Sequence, residues 1–258
     1  DSSSTAAVGR PSLKIKVPAT TEGLPAIEHL IAEGISVNAT LLFDVAYYEG
    51  VHRAYQRGVE QYIQGGGDPG AVSSVASFFV SRIDAMIEKQ VAAEFEESPE
   101  PDRKARLEAL LAKVAIANAV DAYASFQAEL ARPEWQALAD QGARPQRVLW
   151  ASTGTKNPDL PATLYVDELI GPCTVNTVPA ATFEAFKAGG TVADALCGRG
   201  DATLEEARAL LASLDDLGIS LREITDELLV KGCALFCDAF DQVLGAVAEK
   251  RDALMKGA

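Results

Sequence analysis

Leu13-Lys14-Ile15-Lys16-Val17-Pro18-Ala19-Thr20 alternates apolar and basic side chains and stops at a proline. Alternation places Leu13, Ile15 and Val17 on one face of a strand and Lys14 and Lys16 on the other. Pro18 ends the strand because it has no N–H to give to a ladder. Lys16 therefore falls at the strand's C-terminal end, where α/β proteins collect their functional groups. An ammonium is costly to bury, and burial lowers its pKa and frees the amine as a nucleophile toward carbonyl groups. The plain alternative is a lysine whose stem lies on a sheet edge with its head in water.

Strand and helix patterns alternate downstream. Thr20 or Thr21 is placed to cap a helix with Ile27, Leu30 and Ile31 at helical spacing, closed by Gly34. Residues 35–42 form a second strand, and Asp44 caps the helix after it. Gly65-Gly66-Gly67-Asp68-Pro69-Gly70 is a loop and not a phosphate-binding fingerprint, because no Gly-Lys-Ser/Thr follows it. Residues 75–80, 147–152 and 174–178 supply three more strands. A helical region covers 84–146, interrupted by the charged loop Glu96-Glu97-Ser98-Pro99-Glu100-Pro101. Helices fill the C-terminal part, with capping boxes at Thr203-x-x-Glu206 and Ser220-x-x-Glu223. Strands separated by helices predict a parallel α/β sheet with right-handed crossovers.

The chain has 258 residues, 48% of them hydrophobic, enough for one large domain with a sizeable core. Its net charge of −14 argues against nucleic acid or an anionic membrane surface as partner. It leaves room for a small anionic ligand held by local cations. No apolar run is long enough to span a bilayer. Asp1-Ser2-Ser3-Ser4-Thr5 lacks the basic and apolar regions of a signal peptide, so a cytoplasmic protein is expected. Cys173, Cys197, Cys233 and Cys237 form no C-x-x-C pair, and His29 and His52 have no ligand-like spacing. The expectation is buried free thiols in a reducing cytosol and no metal site.

Polar residues collect at the C-terminal ends of the strands. Asn38 and Thr40 share one face of the second strand, and Ser77 and Phe79 share one face of the third. Arg82 lies just past the third, and Ser152-Thr153-Gly154-Thr155-Lys156-Asn157 follows the fourth. In a barrel these groups converge above the strand ends. Asn38 and Thr40 fit a hydrogen-bonded core pair equally well. Arg82 and Lys156, taken singly, are ordinary solvated charges. A serine nucleophile at Ser152 is disfavoured, because Gly-x-Ser-x-Gly is absent and neither histidine is placed as its base.

The runs Ile15-Lys16-Val17-Pro18-Ala19-Thr20, Asn38-Ala39-Thr40-Leu41-Leu42-Phe43, Ser77-Phe78-Phe79-Val80-Ser81-Arg82-Ile83-Asp84 and Ala151 to Asn157 resemble the transaldolase family, and they stand in that family's order. The fourth run is similar to the family's bacterial form, and the likeness extends from about Gly9 to the C-terminus. The resemblance implies a TIM (β/α)8 barrel with about five of the eight strands, the fourth through eighth, present in this chain. It implies one domain over residues 1–258, with a helical insertion at about 84–146. The implied reaction moves a dihydroxyacetone unit from a ketose phosphate to an aldose phosphate, as in the pentose phosphate pathway. The donor would be sedoheptulose 7-phosphate or fructose 6-phosphate. Sugar phosphates are the implied partners, with no metal or organic cofactor. By the same resemblance Lys16 would form a Schiff base with the donor, and Asn38 would bind its hydroxyls and orient the imine. Thr40 would help hold the water of imine formation and hydrolysis. Ser77, Arg82 and Lys156 would bind the phosphate, Phe79 would pack beside the intermediate, and Ser152 would join the substrate-binding set. Lys156 stands in the region where other transaldolases use an arginine.

The chain also departs from the pattern. The family's catalytic aspartate on the first strand and its glutamate on the third have no counterpart here. About three of the family's βα units are expected to be missing before Ser12. Asp44, where the family commonly has serine, is expected to be a helix cap. Lys14, in place of an apolar residue, is expected to be solvated at the barrel's lower mouth. Five strands cannot close an eight-stranded ring, so the Lys16 strand is expected at an open edge. Two further readings remain: another Schiff-base aldolase that releases free dihydroxyacetone, and a non-catalytic barrel fragment that keeps the lysine without its acids.

Overall fold

In the computed structural model, which describes residues 8–10, 12–198 and 200–256, the alternating run around Lys16 forms β1 (Ile15–Pro18). It is followed by β2 (Val37–Leu42), β3 (Ser74–Phe79), β4 (Arg147–Ala151) and β5 (Thr174–Asn176). All are parallel and pair in sequential order. That is the order of five neighbouring strands in a (β/α)8 barrel. Among the described residues β1 pairs only with β2 and β5 only with β4, so the Lys16 strand is an edge, as expected.

Helices link the strands. After β1 and β2 come α1 (Gly23–Ala32) and α2 (Val45–Gln64). After β3 come α3 (Ser81–Glu96), α4 (Pro101–Glu108), α5 (Val114–Leu130) and α6 (Pro133–Ala139). The short α7 (Leu164–Asp167) precedes β5, and α8 (Ala180–Gly189), α9 (Asp201–Asp216) and α10 (Leu221–Lys256) follow it. Among the described residues no helix is long and apolar enough to cross a membrane.

Local chemistry sets these boundaries. Thr20 Oγ1 accepts the Gly23 N–H at 3.0 Å as α1 begins, and Gly34, at φ 78°, turns the chain after it. Asp44 accepts the Ala46 N–H at 2.6 Å and caps α2, as expected. Ser220 accepts the Glu223 N–H at 3.2 Å ahead of α10. Thr203 does not cap. Gly200, at φ 70°, lets the chain enter α9 already at Asp201, so Thr203 lies inside the first turn.

The register sorts the sheet's two faces. Val17, Ala39 and Ala76 align, as do Phe78 and Trp150. The Ala39, Ala76, Phe78 and Trp150 side chains are buried. Trp150 Nε1 donates to Leu169 O at 2.8 Å, and Phe78 meets the indole edge-on at 88°. Two buried polar groups fix the helical layer. Asp84 on α3 accepts the Ala115 N–H at 2.9 Å and the Tyr165 hydroxyl at 2.8 Å, joining α3, α5 and α7. Burial raises its pKa to about 6 in spite of both bonds. Asn118 on α5 donates to Phe43 O at 2.8 Å, just past the end of β2.

Two expectations change. Lys14 is half-buried and donates to Ser73 Oγ at 2.7 Å, reaching past β2 to the residue just before β3. Burial, and then Arg147 and Arg144, hold its pKa below the usual range. The cysteines are not core thiols: Cys173, Cys197 and Cys237 are exposed and Cys233 is half-buried. Cys173 immediately precedes the edge strand β5, and Cys237 lies on an exposed stretch of α10.

Candidate active site

Register brings Lys16 beside Asn38 on adjacent strands. Residues aligned across a parallel ladder point to the same face, so the Lys16 and Asn38 side chains leave the sheet together. Asn38 Oδ1 accepts a hydrogen bond from Ser77 Oγ at 2.7 Å, and Ser77 is buried. A hydrogen bond thus joins β2 to β3, and β1 adds Lys16 in register beside it. The Ser77 bond fixes the amide's orientation and leaves its N–H donors for another acceptor.

Thr40, two residues past Asn38, is 1% exposed, and its hydroxyl has no hydrogen-bond partner among the described residues. A buried, unpartnered hydroxyl costs about 1–3 kcal/mol. Its backbone is held, since Thr40 O accepts the Ala19 N–H at 2.8 Å. Just beyond, the β2–β3 register shifts between Ala39 and Leu42, and Leu41 adopts φ 62°. This bulge turns the strand end, a device common next to sites.

Lys16 differs from these neighbours in being exposed. Partial desolvation still lowers the ammonium's pKa below its ordinary value. The side chain as a whole stays open to solvent while the charged end is crowded. Among the described residues it makes no ion pair. Its Nζ lies 5.0 Å from the centre of the Phe236 ring on α10.

The remaining strand-end groups form a second cluster. Phe79 is buried against Phe43, with ring centres 5.2 Å apart, and the Arg82 guanidinium sits 5.2 Å from the Phe79 ring centre. Ser152 adopts φ 58°, and its hydroxyl lies 3.0 Å from that of Ser81. Ser152 O accepts the Ser81 N–H at 3.0 Å, tying the loop after β4 to the first turn of α3. Lys156 is exposed on that loop. Among the described residues neither Arg82 nor Lys156 has a carboxylate partner, although the chain holds 37 acidic residues.

Sequence patterns missed several of these residues. Ser81 is the partner of Ser152, Thr153 Oγ1 donates to Asn176 Oδ1 at 2.8 Å, and Phe236 covers Lys16. The serine after Val80 at a strand-to-helix junction was a usable signal for the first. Nothing local marks Phe236.

Fold and site together define an α/β protein of the barrel class, with a lysine amine at one strand end and, at others, cations that have no carboxylate partner among the described residues. The sequence model described as Transaldolase/Fructose-6-phosphate aldolase matches residues 4–247, and the chain belongs to that family. It is 45% identical over 246 residues to a transaldolase of Frankia alni, covering 94% of this chain and 62% of the relative. It is 45% identical over 244 residues to a transaldolase of Thermobifida fusca, covering 94% and 63%. It is 43% identical over 246 residues to a protein named transaldolase 2 of Nostoc sp., covering 94% and 64%. The chain thus spans 62–64% of the length of these curated relatives.

Proposed function

We propose that this protein is a transaldolase acting on sugar phosphates in the cytoplasm, as a step of the pentose phosphate pathway. The observation that carries this is the Lys16–Asn38 register, a lysine of lowered pKa beside an amide fixed by the buried Ser77. Residues 1–258 belong in this reading to one barrel domain, with the helices between β3 and β4 as its insertion.

The free Lys16 amine attacks the ketose carbonyl, and loss of water gives a protonated imine. The Asn38 amide donates to the donor's hydroxyls and holds the imine in plane. The Thr40 hydroxyl gains its missing partner in the water that leaves and later returns. The iminium withdraws electrons, so transfer of the C4 hydroxyl proton to solvent water, which the exposed Lys16 admits, breaks the C3–C4 bond and leaves its electron pair on the enamine. The released aldose phosphate departs, and a three-carbon enamine stays on Lys16. It attacks the acceptor aldehyde, and hydrolysis of the new imine frees the product ketose. Arg82 and Lys156, with the Ser152 loop, bind the phosphate without entering bond making, while the Ser77 hydroxyl, which donates to Asn38 Oδ1, serves the amide instead. Phe79 supports Arg82 and packs beside the chain of the sugar.

A second reading, release of free dihydroxyacetone, has one observation in its favour. Lys16 is exposed, so water can protonate the enamine and hydrolyse it before an acceptor arrives. Supplying fructose 6-phosphate with and without erythrose 4-phosphate separates the two. Transfer predicts sedoheptulose 7-phosphate and glyceraldehyde 3-phosphate only when both sugars are present. Free dihydroxyacetone from fructose 6-phosphate alone would establish the aldolase instead.

A further inference from the structure

α10 is 36 residues long, and one turn of it is placed against the sheet by a close contact. At Gly232 an added Cβ would stand 2.7 Å from Leu41 Cδ2, so only glycine admits this approach without displacement. Leu41 is the residue of the β2 bulge, at φ 62°, and its side chain is 1% exposed. The bulge and the bare glycine backbone thus set where the helix crosses the strand ends. Phe236 follows Gly232 by one turn, on the same side of the helix. There its ring centre lies 5.0 Å from Lys16 Nζ. Phe236 is 42% exposed, so the ring is not placed there by burial in the core.

We propose that Phe236 is a positioning residue for Lys16, its ring face holding the nitrogen in its cationic forms, ammonium and iminium, at the end of β1. The choice of a ring over a carboxylate has a chemical consequence. A carboxylate at hydrogen-bond distance would stabilise the ammonium strongly and withhold the free amine. A ring face attracts a cation by only about 0.5–1 kcal/mol at an open site. The nitrogen is held while charged and still released as an amine. The assignment concerns the contact itself, and the part that involves the iminium rests on the transaldolase reading.

The test compares the unaltered protein with Phe236→Leu, which keeps an apolar cover without the ring, and Phe236→Tyr, which restores a ring. The pH dependence of Lys16 acetylation by acetic anhydride, followed by mass spectrometry of the Lys16 peptide, gives the nitrogen's pKa in each. Loss of the ring lowers that pKa by roughly half a unit, about a threefold change in the amine-to-ammonium ratio, and tyrosine restores it. The same three proteins are then treated, above the Lys16 pKa so that the uncharged amine is the starting state, with fructose 6-phosphate at limiting concentration and borohydride. The Lys16 adduct should fall about two- to fivefold in Phe236→Leu and recover in Phe236→Tyr. Equal pKa values in all three overturn the inference, whether or not an adduct forms. The expected pKa order with no sugar adduct in any protein leaves the contact standing and removes the transaldolase reading instead.

Discussion

β1 and β2 carry aligned functional residues, yet the two strands meet solvent in opposite ways. On β2 Asn38 is pinned by Ser77 and Thr40 is buried, in a strand paired on both sides. On β1, an edge strand among the described residues, Lys16 is exposed and its Nζ lies 5.0 Å from the centre of one ring of a distant helix. The difference separates recognition from reaction. Groups that orient a substrate gain from rigidity, and the sheet interior supplies it. A group that must change its covalent state and charge at each step needs room and water. Stability and site geometry should therefore depend on the interior strands and their helices, and chemistry on the margin.

The largest expected effect lies in the interior layer. Asp84→Ala removes a carboxylate that bonds both Ala115 N–H and the Tyr165 hydroxyl, and it should cost about 3–5 kcal/mol of unfolding free energy in urea titration. A loss below 1 kcal/mol would show that the interior does not depend on this network. Close behind comes acid sensitivity from His52. Its ring lies between Tyr48 and Trp135 with both nitrogens unpartnered among the described residues. Burial, then Arg53 and Arg132, lowers its pKa to about 4. The unfolded chain takes up this proton near pH 6.5, so the folded state keeps the full contribution above that value. It loses about 3 kcal/mol as the pH falls from 6.5 to 4. Asp84 acts in the opposite sense: its raised folded pKa contributes stability that is full below pH 3.8 and is lost as the pH rises through about 6. Urea midpoints across pH 4–7 should therefore become less acid-sensitive in His52→Leu. An unchanged pH slope would show that the ring is not buried as a neutral group.

The strand ends give smaller effects. Arg82→Ala should raise KM for phosphorylated sugars by roughly ten- to a hundredfold, through loss of one charge-assisted contact. Unphosphorylated fructose should be little affected, and equal losses on both would remove Arg82 from the phosphate site. Thr40→Val should leave stability unchanged or raise it by up to about 1 kcal/mol, because the hydroxyl it deletes has no partner among the described residues. Imine formation should nevertheless slow, as measured by single-turnover trapping. A large stability loss would mean that this hydroxyl is bonded within the fold.

Much of the framework was legible because it is written in local patterns. Period-two alternation placed Lys16 with its face, and proline marked the end of β1. Strand limits inferred from residues 75–80 and 147–152 lie within one residue of β3 and β4. The cap at Asp44 was also readable, since a short carboxylate before a helix has one common use. Other features depend on contacts that local patterns do not record. A bulge at Leu41 carries no glycine or asparagine to announce it, and its partner Gly232 is nearly two hundred positions away. Phe236 sits in an ordinary apolar helix pattern, so its place over Lys16 follows only from how α10 crosses the strands. The cysteines were misjudged for a related reason: residue type favours burial, but their exposure is decided by an edge strand and an uncovered helix.

The central claim is that Lys16 is the nucleophile. Treating the protein with fructose 6-phosphate and borohydride, then mapping peptides by mass spectrometry, tests it directly. The expected result is a reduced three-carbon adduct on Lys16, absent without sugar and absent in Lys16→Ala. An adduct on another lysine, or one that persists undiminished in Lys16→Ala, would contradict it.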